Sequence, residues 1–319
     1  MKKFLTKIAA FTLLTTALFL IPFFYFPNLM YQNSILAELP DKHKMLAQST
    51  SPKIIFIGGS NVSMGLNSEK IADTYHLPVV NTSIALWLGL KFMVNDVKPY
   101  IKKGDIVVIS GEYNCYDESL NEAGFEGYEA LLTVVFNIFP PGKSYIDNKQ
   151  WIHLAKFIPH YVISSIRYSL LNNDRERLTV ESAKKEFNKY GDLYTHWKQP
   201  KIPFKPEEKC MGNEKLNPDV IPLLKKFNNY VLSKGATLVL IPPPMQDSSY
   251  QNQYYVINKI ESQLKNSGLP FIAKTSRYEL NDKYFNDLGY HLTKAGVDIR
   301  TDLVIEDLSK VITAAKTRK

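Results

Sequence analysis

Apolar residues along the chain fall into short unbroken runs, separated by segments with helical spacing. Lys53-Ile54-Ile55-Phe56-Ile57 is β-branched and aromatic, which predicts a strand buried on both faces of a parallel sheet. Runs at 78–81, 106–109, 237–241 and 270–273 predict four more strands. Helical spacing covers 64–72, 86–101, 218–234, 251–265 and 294–315. Asn67 or Ser68 caps the first helix, Gly235 and Gly268 stop the third and fourth, and Thr293 caps the last. Strands alternating with helices at this spacing predict an α/β, three-layer, five-stranded parallel sheet covered on both faces.

Two regions depart from the alternation. Residues 117–206 hold apolar and aromatic helical stretches (130–139 and 151–171), a charged stretch (174–189) and a loop rich in Pro and Lys. They are read as a mostly helical insertion that covers the active-site edge or lies near a membrane surface. The aromatic stripe is read as insertion core. At the N-terminus, Lys2, Lys3 and Lys7 precede an uncharged run from Ile8 to Ala37. Its almost wholly apolar core, Ile8 to Phe26, is close to the ~20 residues that span a bilayer. Lysines on one side only predict a single-pass cell-membrane protein with a cytoplasmic N-terminus and a periplasmic or extracellular catalytic domain. Phe23 to Phe26 resemble an interfacial aromatic belt, and no small-x-small site marks a cleaved signal peptide. The expected organisation is an anchor over 1–30, a polar tether over 31–52, and an α/β domain over 53–319 carrying the insertion.

Composition changes the picture little. The 319 residues are 45% hydrophobic, enough for one large core. The formal charge is +8, but the basic residues are scattered and do not interleave with aromatics as a nucleic-acid groove requires. Two cysteines, Cys115 and Cys210, allow one disulfide in an oxidising compartment, or two free thiols. Neither a P-loop nor a dinucleotide fingerprint is present, and His43, His76, His153, His160 and His196 lack metal-ligand spacing. No cofactor or metal is expected.

The candidate chemistry lies at two turns. After the first strand, Gly58-Gly59 permits a sharp turn that places Ser60 at the C-terminal edge of the sheet, where open α/β sheets bind ligands. Taken alone, a Gly-Gly-Ser turn more often only connects a strand to a helix. Between the last strand and last helix, Asp287 precedes His291 by four residues. A histidine there supplies the base that Ser60 needs, and a carboxylate on the same loop fixes its tautomer. The pair together favours a Ser60–His291–Asp287 triad over a surface Asp and a surface His.

These blocks resemble those of the SGNH/GDSL hydrolases. Gly58-Gly59-Ser60-Asn61 looks like their nucleophile block, with Gly59 where Asp is usual. Asp287…His291 looks like their last block, with one residue more than the usual Asp-x-x-His. Phe285-Asn286-Asp287-x-x-Tyr290-His291-Leu292-Thr293 is similar to membrane-anchored members linked to acylation of bacterial envelope polysaccharides. The resemblance covers about 53–315 without the insertion. It implies a flavodoxin-like fold of the SGNH hydrolase type. It also implies oxyanion donors from the serine N–H, a glycine after the second strand and an asparagine after the third. Gly89 and Asn114 are the candidates here, both displaced from the usual spacing. Losing one such donor typically costs about 10²–10³ in rate. Glu112 and Tyr113 are structural or line the pocket.

The resemblance implies a serine esterase or O-acyltransferase acting on acyl esters of an extracytoplasmic glycan or envelope polymer. Its implied partners are that acylated polymer and a multi-pass membrane acyltransferase, with no nucleic acid. The rival expectations are a catalytically weak scaffold or glycan-binding module of an envelope-assembly complex, and a soluble-ligand receptor using the same cleft.

Overall fold

The computed structural model describes residues 1–31, 34–116, 125–171, 185–198, 200–201, 216–287 and 289–317; side chains are described within these except at 19, 21–31, 125–126, 168–171 and 315–317. The chain forms two compact units, Met1–Ala37 with Tyr128–Lys184, and Glu38–Gly127 with Lys185–Lys319. Most of the charged stretch 174–189, most of the Pro/Lys-rich loop and Cys210 lie outside the described residues. The possible Cys115–Cys210 bridge therefore does too; Cys115 is a free, buried thiol.

The second unit is built on a parallel sheet. Strand β1 (Ile54–Gly58) is flanked by β2 (Val79–Asn81) and β3 (Ile106–Ser110), and β4 (Thr237–Leu240) pairs with β3. The order β2-β1-β3-β4 puts the two all-apolar runs in the centre, where both faces are covered. Ile54, Phe56, Val108 and Val239 pack in one core with Val304, Leu308 and Ile312 of the C-terminal helix Lys294–Thr317. Those three helix residues recur every four positions and so share one face.

The expected five-stranded sheet is corrected to four strands. Residues 270–273 make a single parallel bridge, Phe271 to Leu240, through Leu240 N–H to Pro270 O (2.9 Å) and Ile272 N–H to Leu240 O (3.1 Å). The ladder stops because Pro242-Pro243-Pro244 follows β4 and has no N–H to donate. A second, two-stranded parallel sheet, unforeseen from sequence, pairs β5 (Met245–Gln246) with β6 (Glu279–Leu280).

The expected transmembrane helix is also corrected. In the first unit, helix Lys2–Tyr31 packs along helix Asn148–Leu171. No helix among the described residues is long and apolar enough to cross a membrane. That finding overturns both the anchor and the single-pass membrane localisation drawn from it. Three lysines and four threonines fall within residues 2–16, and the Thr6 and Thr15 hydroxyls donate to the carbonyls of Lys2 (3.0 Å) and Phe11 (2.8 Å). A spanning helix needs about 20 predominantly apolar residues, and the described part of this helix does not supply them.

The stretch read as a tether contains helix Leu39–Gln48, with Pro40 in its first turn. Leu39, Lys42, His43 and Leu46 are buried in it. Lys42 Nζ donates to the carbonyls of Asn81 (2.9 Å) and Gly191 (2.6 Å). Residues 185–198, within the range read as an insertion, thus belong to the second unit and close behind β2. Gly191 has φ +89°, and a Cβ there would sit 2.3 Å from the Asn81 carbonyl oxygen, so glycine is required on both counts.

Burial drives the Lys42 amine down to about 7, against the pull of Glu38 and Asp192. Between that value and the ordinary lysine value near 10.4 the unfolded chain holds the proton and the folded chain does not. Lys42 therefore makes stability rise with pH across this window. Thermal melts at about pH 7 and about pH 9.5 should show a larger gain on raising pH in the wild type than in Lys42→Met. Equal gains would show that Lys42 keeps an ordinary proton affinity.

Candidate active site

The nucleophile turn is set by close packing at the end of β1. A Cβ on Gly58 would lie 2.6 Å from the Ser110 carbonyl oxygen at the end of β3. One on Gly59 would lie 2.8 Å from Glu112 Oε1 and 2.9 Å from both Leu86 N and Leu86 Cβ. This close packing leaves no room for a side chain at position 59. Ser60 opens a single helical turn, Ser60–Ser63, in which Asn61, Val62 and Ser63 are buried.

Three layers hold that turn. Asn61 Nδ2 donates to Ser110 O at 3.0 Å, tying the turn to β3. Arg300 of the C-terminal helix is fully buried; its guanidinium donates to Asn61 O, to Gly65 O at 3.5 Å and to Ser110 Oγ at 2.9 Å. Burial pulls Arg300 down to about 9, opposed by the negative potential of Tyr278 and Glu112. Asn81, at the end of β2, donates to Val62 O (3.0 Å) and to Asp192 Oδ1 (2.8 Å). Asp192 also accepts from the Ser68 hydroxyl at 2.6 Å. Burial raises the Asp192 carboxyl, and these donors restrain the rise.

The histidine loop is closed at its base. Phe285 and Leu292 form an antiparallel bridge, Asn286 N–H donates to His291 O (2.8 Å), and Thr293 N–H donates to Tyr284 O (2.8 Å). Phe285 and Leu292 are fully buried in a small cluster with Leu280 and Val297. Gln246 N–H in β5 donates to Gly289 O (3.2 Å), which pins the tip of the loop. His196 donates through Nε2 to Leu292 O at 3.2 Å. Burial holds His196 below the ordinary histidine value, and the neighbouring His291 adds to this.

Ser60, His291 and Asp287 meet. His291 Nε2 lies 2.8 Å from Ser60 Oγ, and Nδ1 lies 2.9 Å from Asp287 Oδ1. The hydrogen bond from His291 holds the Asp287 carboxyl below its ordinary value, against partial burial. Asp287 is therefore ionised at neutral pH and accepts from Nδ1–H, which leaves Nε2 to accept the Ser60 proton. The extra residue between Asp287 and His291 is absorbed in the closed loop without turning the carboxylate aside.

Of the oxyanion candidates, Gly89 starts helix Gly89–Val97 with φ +75°, and Asn114 lies in the short turn Tyr113–Tyr116 that follows β3. Asn114 Oδ1 is buried without a hydrogen-bond partner. The backbone amide of Leu86 lies against Gly59. Sequence reasoning left the role of Glu112 open and missed Arg300, His196 and Asn81. Arg300 left a signal: it stands between Val297 and Val304 on the apolar stripe of the last helix. Among the described residues no group of three or more His, Cys, Asp or Glu is arranged to hold a metal ion.

No family model matches the chain, and no curated protein matches it.

Proposed function

We propose that this chain is a serine esterase or O-acyltransferase acting on acyl esters, with a glycan or envelope polymer as acyl donor or acceptor. The observation that carries the reading is the unbroken line Asp287–His291–Ser60, with both contacts inside 3 Å. Ser60 Oγ attacks the ester carbonyl carbon as its proton passes to His291 Nε2. The tetrahedral intermediate expels the alcohol, which leaves with the proton from His291. Water or an acceptor hydroxyl then attacks the acyl-Ser60 ester, again losing its proton to His291, and as the acyl–Oγ bond breaks His291 returns that proton to Ser60 Oγ. The Ser60 N–H and the Leu86 N–H are the backbone donors proposed for the oxyanion. The glycan assignment rests on the sequence resemblance alone.

A second reading is a catalytically weak scaffold. The Glu112 carboxylate favours it, because Oε1 accepts from Asn61 N–H at 2.9 Å beside the nucleophile, where an oxyanion needs donors. Labelling with a fluorophosphonate probe separates the two. The wild type should label on Ser60, and Ser60→Ala should not. A wild type that labels no faster than Ser60→Ala would leave the scaffold.

A further inference from the structure

The line of contacts continues past Ser60. Glu112 Oε1 lies 3.2 Å from Ser60 Oγ while it accepts from Asn61 N–H at 2.9 Å. Glu112 is 1% exposed, so these contacts are made out of water. The space it occupies exists because Gly59 has no Cβ. The Ser60 hydroxyl thus has one proton and two acceptors. With His291 neutral, Nε2 takes that proton. With His291 protonated, Nε2–H points at Oγ, and the hydroxyl turns its proton to Glu112.

We propose that Glu112 is a positioning residue for acyl transfer, fixing the nucleophile turn through Asn61 N–H and holding Ser60 Oγ on its line to His291 in both protonation states of the imidazole. The inference rests on the acyl-transfer reading above. The groups facing His291 are Asp287 from its own loop, His196 from the turn Thr195–Lys198, and Glu112 across Ser60, with Arg300 of the C-terminal helix beside Glu112. Changing Glu112 alone leaves the other three in place.

The test uses the full chain and p-nitrophenyl acetate, reading the acylation rate against ester concentration in the wild type, Ser60→Ala, Glu112→Gln, Glu112→Asp and Glu112→Ala. Glutamine keeps a carbonyl oxygen for both contacts and removes the charge. Glu112→Ala should slow acylation by about 10–100-fold at an unchanged half-saturating ester concentration, as a misplaced nucleophile does. Glu112→Gln should recover most of that rate, because it keeps an oxygen for both contacts. A purely structural role would not separate rate from half-saturation. If Glu112→Ala does not fold, Glu112→Asp, whose shorter side chain withdraws the oxygen from Ser60 and Asn61, decides alone and should slow acylation at an unchanged half-saturating concentration. Acylation at the wild-type rate by Glu112→Ala, or by Glu112→Asp where alanine does not fold, would overturn the inference. A wild type that turns over the ester no faster than Ser60→Ala would overturn the acyl-transfer reading itself, and the role of Glu112 with it.

Discussion

Asp287→Asn should slow ester hydrolysis by on the order of 10⁴-fold without unfolding the chain. The carboxylate accepts from His291 Nδ1 at 2.9 Å and so keeps Nε2 free to take the Ser60 proton. An asparagine amide in the same place can donate to Nδ1, which selects the other tautomer and turns an Nε2–H toward Ser60 Oγ. His291→Ala should cost as much or more, because no other base contacts Oγ except Glu112 at 3.2 Å. Combining the two changes should add little, since members of such a unit fail together. Steady-state hydrolysis of p-nitrophenyl acetate by the single and double variants measures all three. An Asp287→Asn enzyme within about tenfold of wild type would mean that the carboxylate does not set the tautomer. The depressed carboxyl has a stability consequence of known sign. Asp287 contributes above its unfolded pKa, and that contribution is lost as pH falls through its lower folded value.

Arg300→Met should destabilise the fold by about 3–5 kcal/mol, the usual cost of removing one partner from a buried charged cluster. The guanidinium is fully buried and holds Asn61 O, Gly65 O and Ser110 Oγ, which methionine would leave without their donor. It also removes the positive neighbour of Glu112. Arg300→Lys should recover little, because one ammonium cannot reach three acceptors in the fixed geometry of a guanidinium fork. Urea denaturation midpoints measure the loss. The fluorophosphonate labelling rate of the folded fraction should fall too, since Asn61 follows the nucleophile directly. A variant with wild-type midpoint and wild-type labelling would show that Arg300 is a passive core residue.

Much of the second unit was legible in the sequence because its signals are local. A continuous β-branched run such as Ile54–Ile57 has few alternatives to a buried strand. Gly-Gly before Ser60, and an N-cap threonine after His291, mark a turn and a helix start with short-range chemistry. The topology of a parallel sheet then brings β1 and the last loop to one edge. What misled was also local. The apolar residues after Lys7 read as a membrane span when counted as a run, whereas no helix among the described residues is long and apolar enough to cross a membrane. Phe271 and its neighbours read as a fifth strand, but three prolines after β4 leave that ladder without donors.

The sequence by itself therefore determined the central strands, the nucleophile turn and the pairing of Asp287 with His291 in one loop. Each follows from residues within a few positions of one another. Only the tertiary structure decided what surrounds Ser60. Glu112 reaches it from 52 positions away and His291 from 231, while Arg300 reaches Asn61 from 239. Contacts at such separations depend on where whole strands and helices end in space. That the Glu112 carboxylate faces Ser60 leaves no spacing in the chain by which to find it.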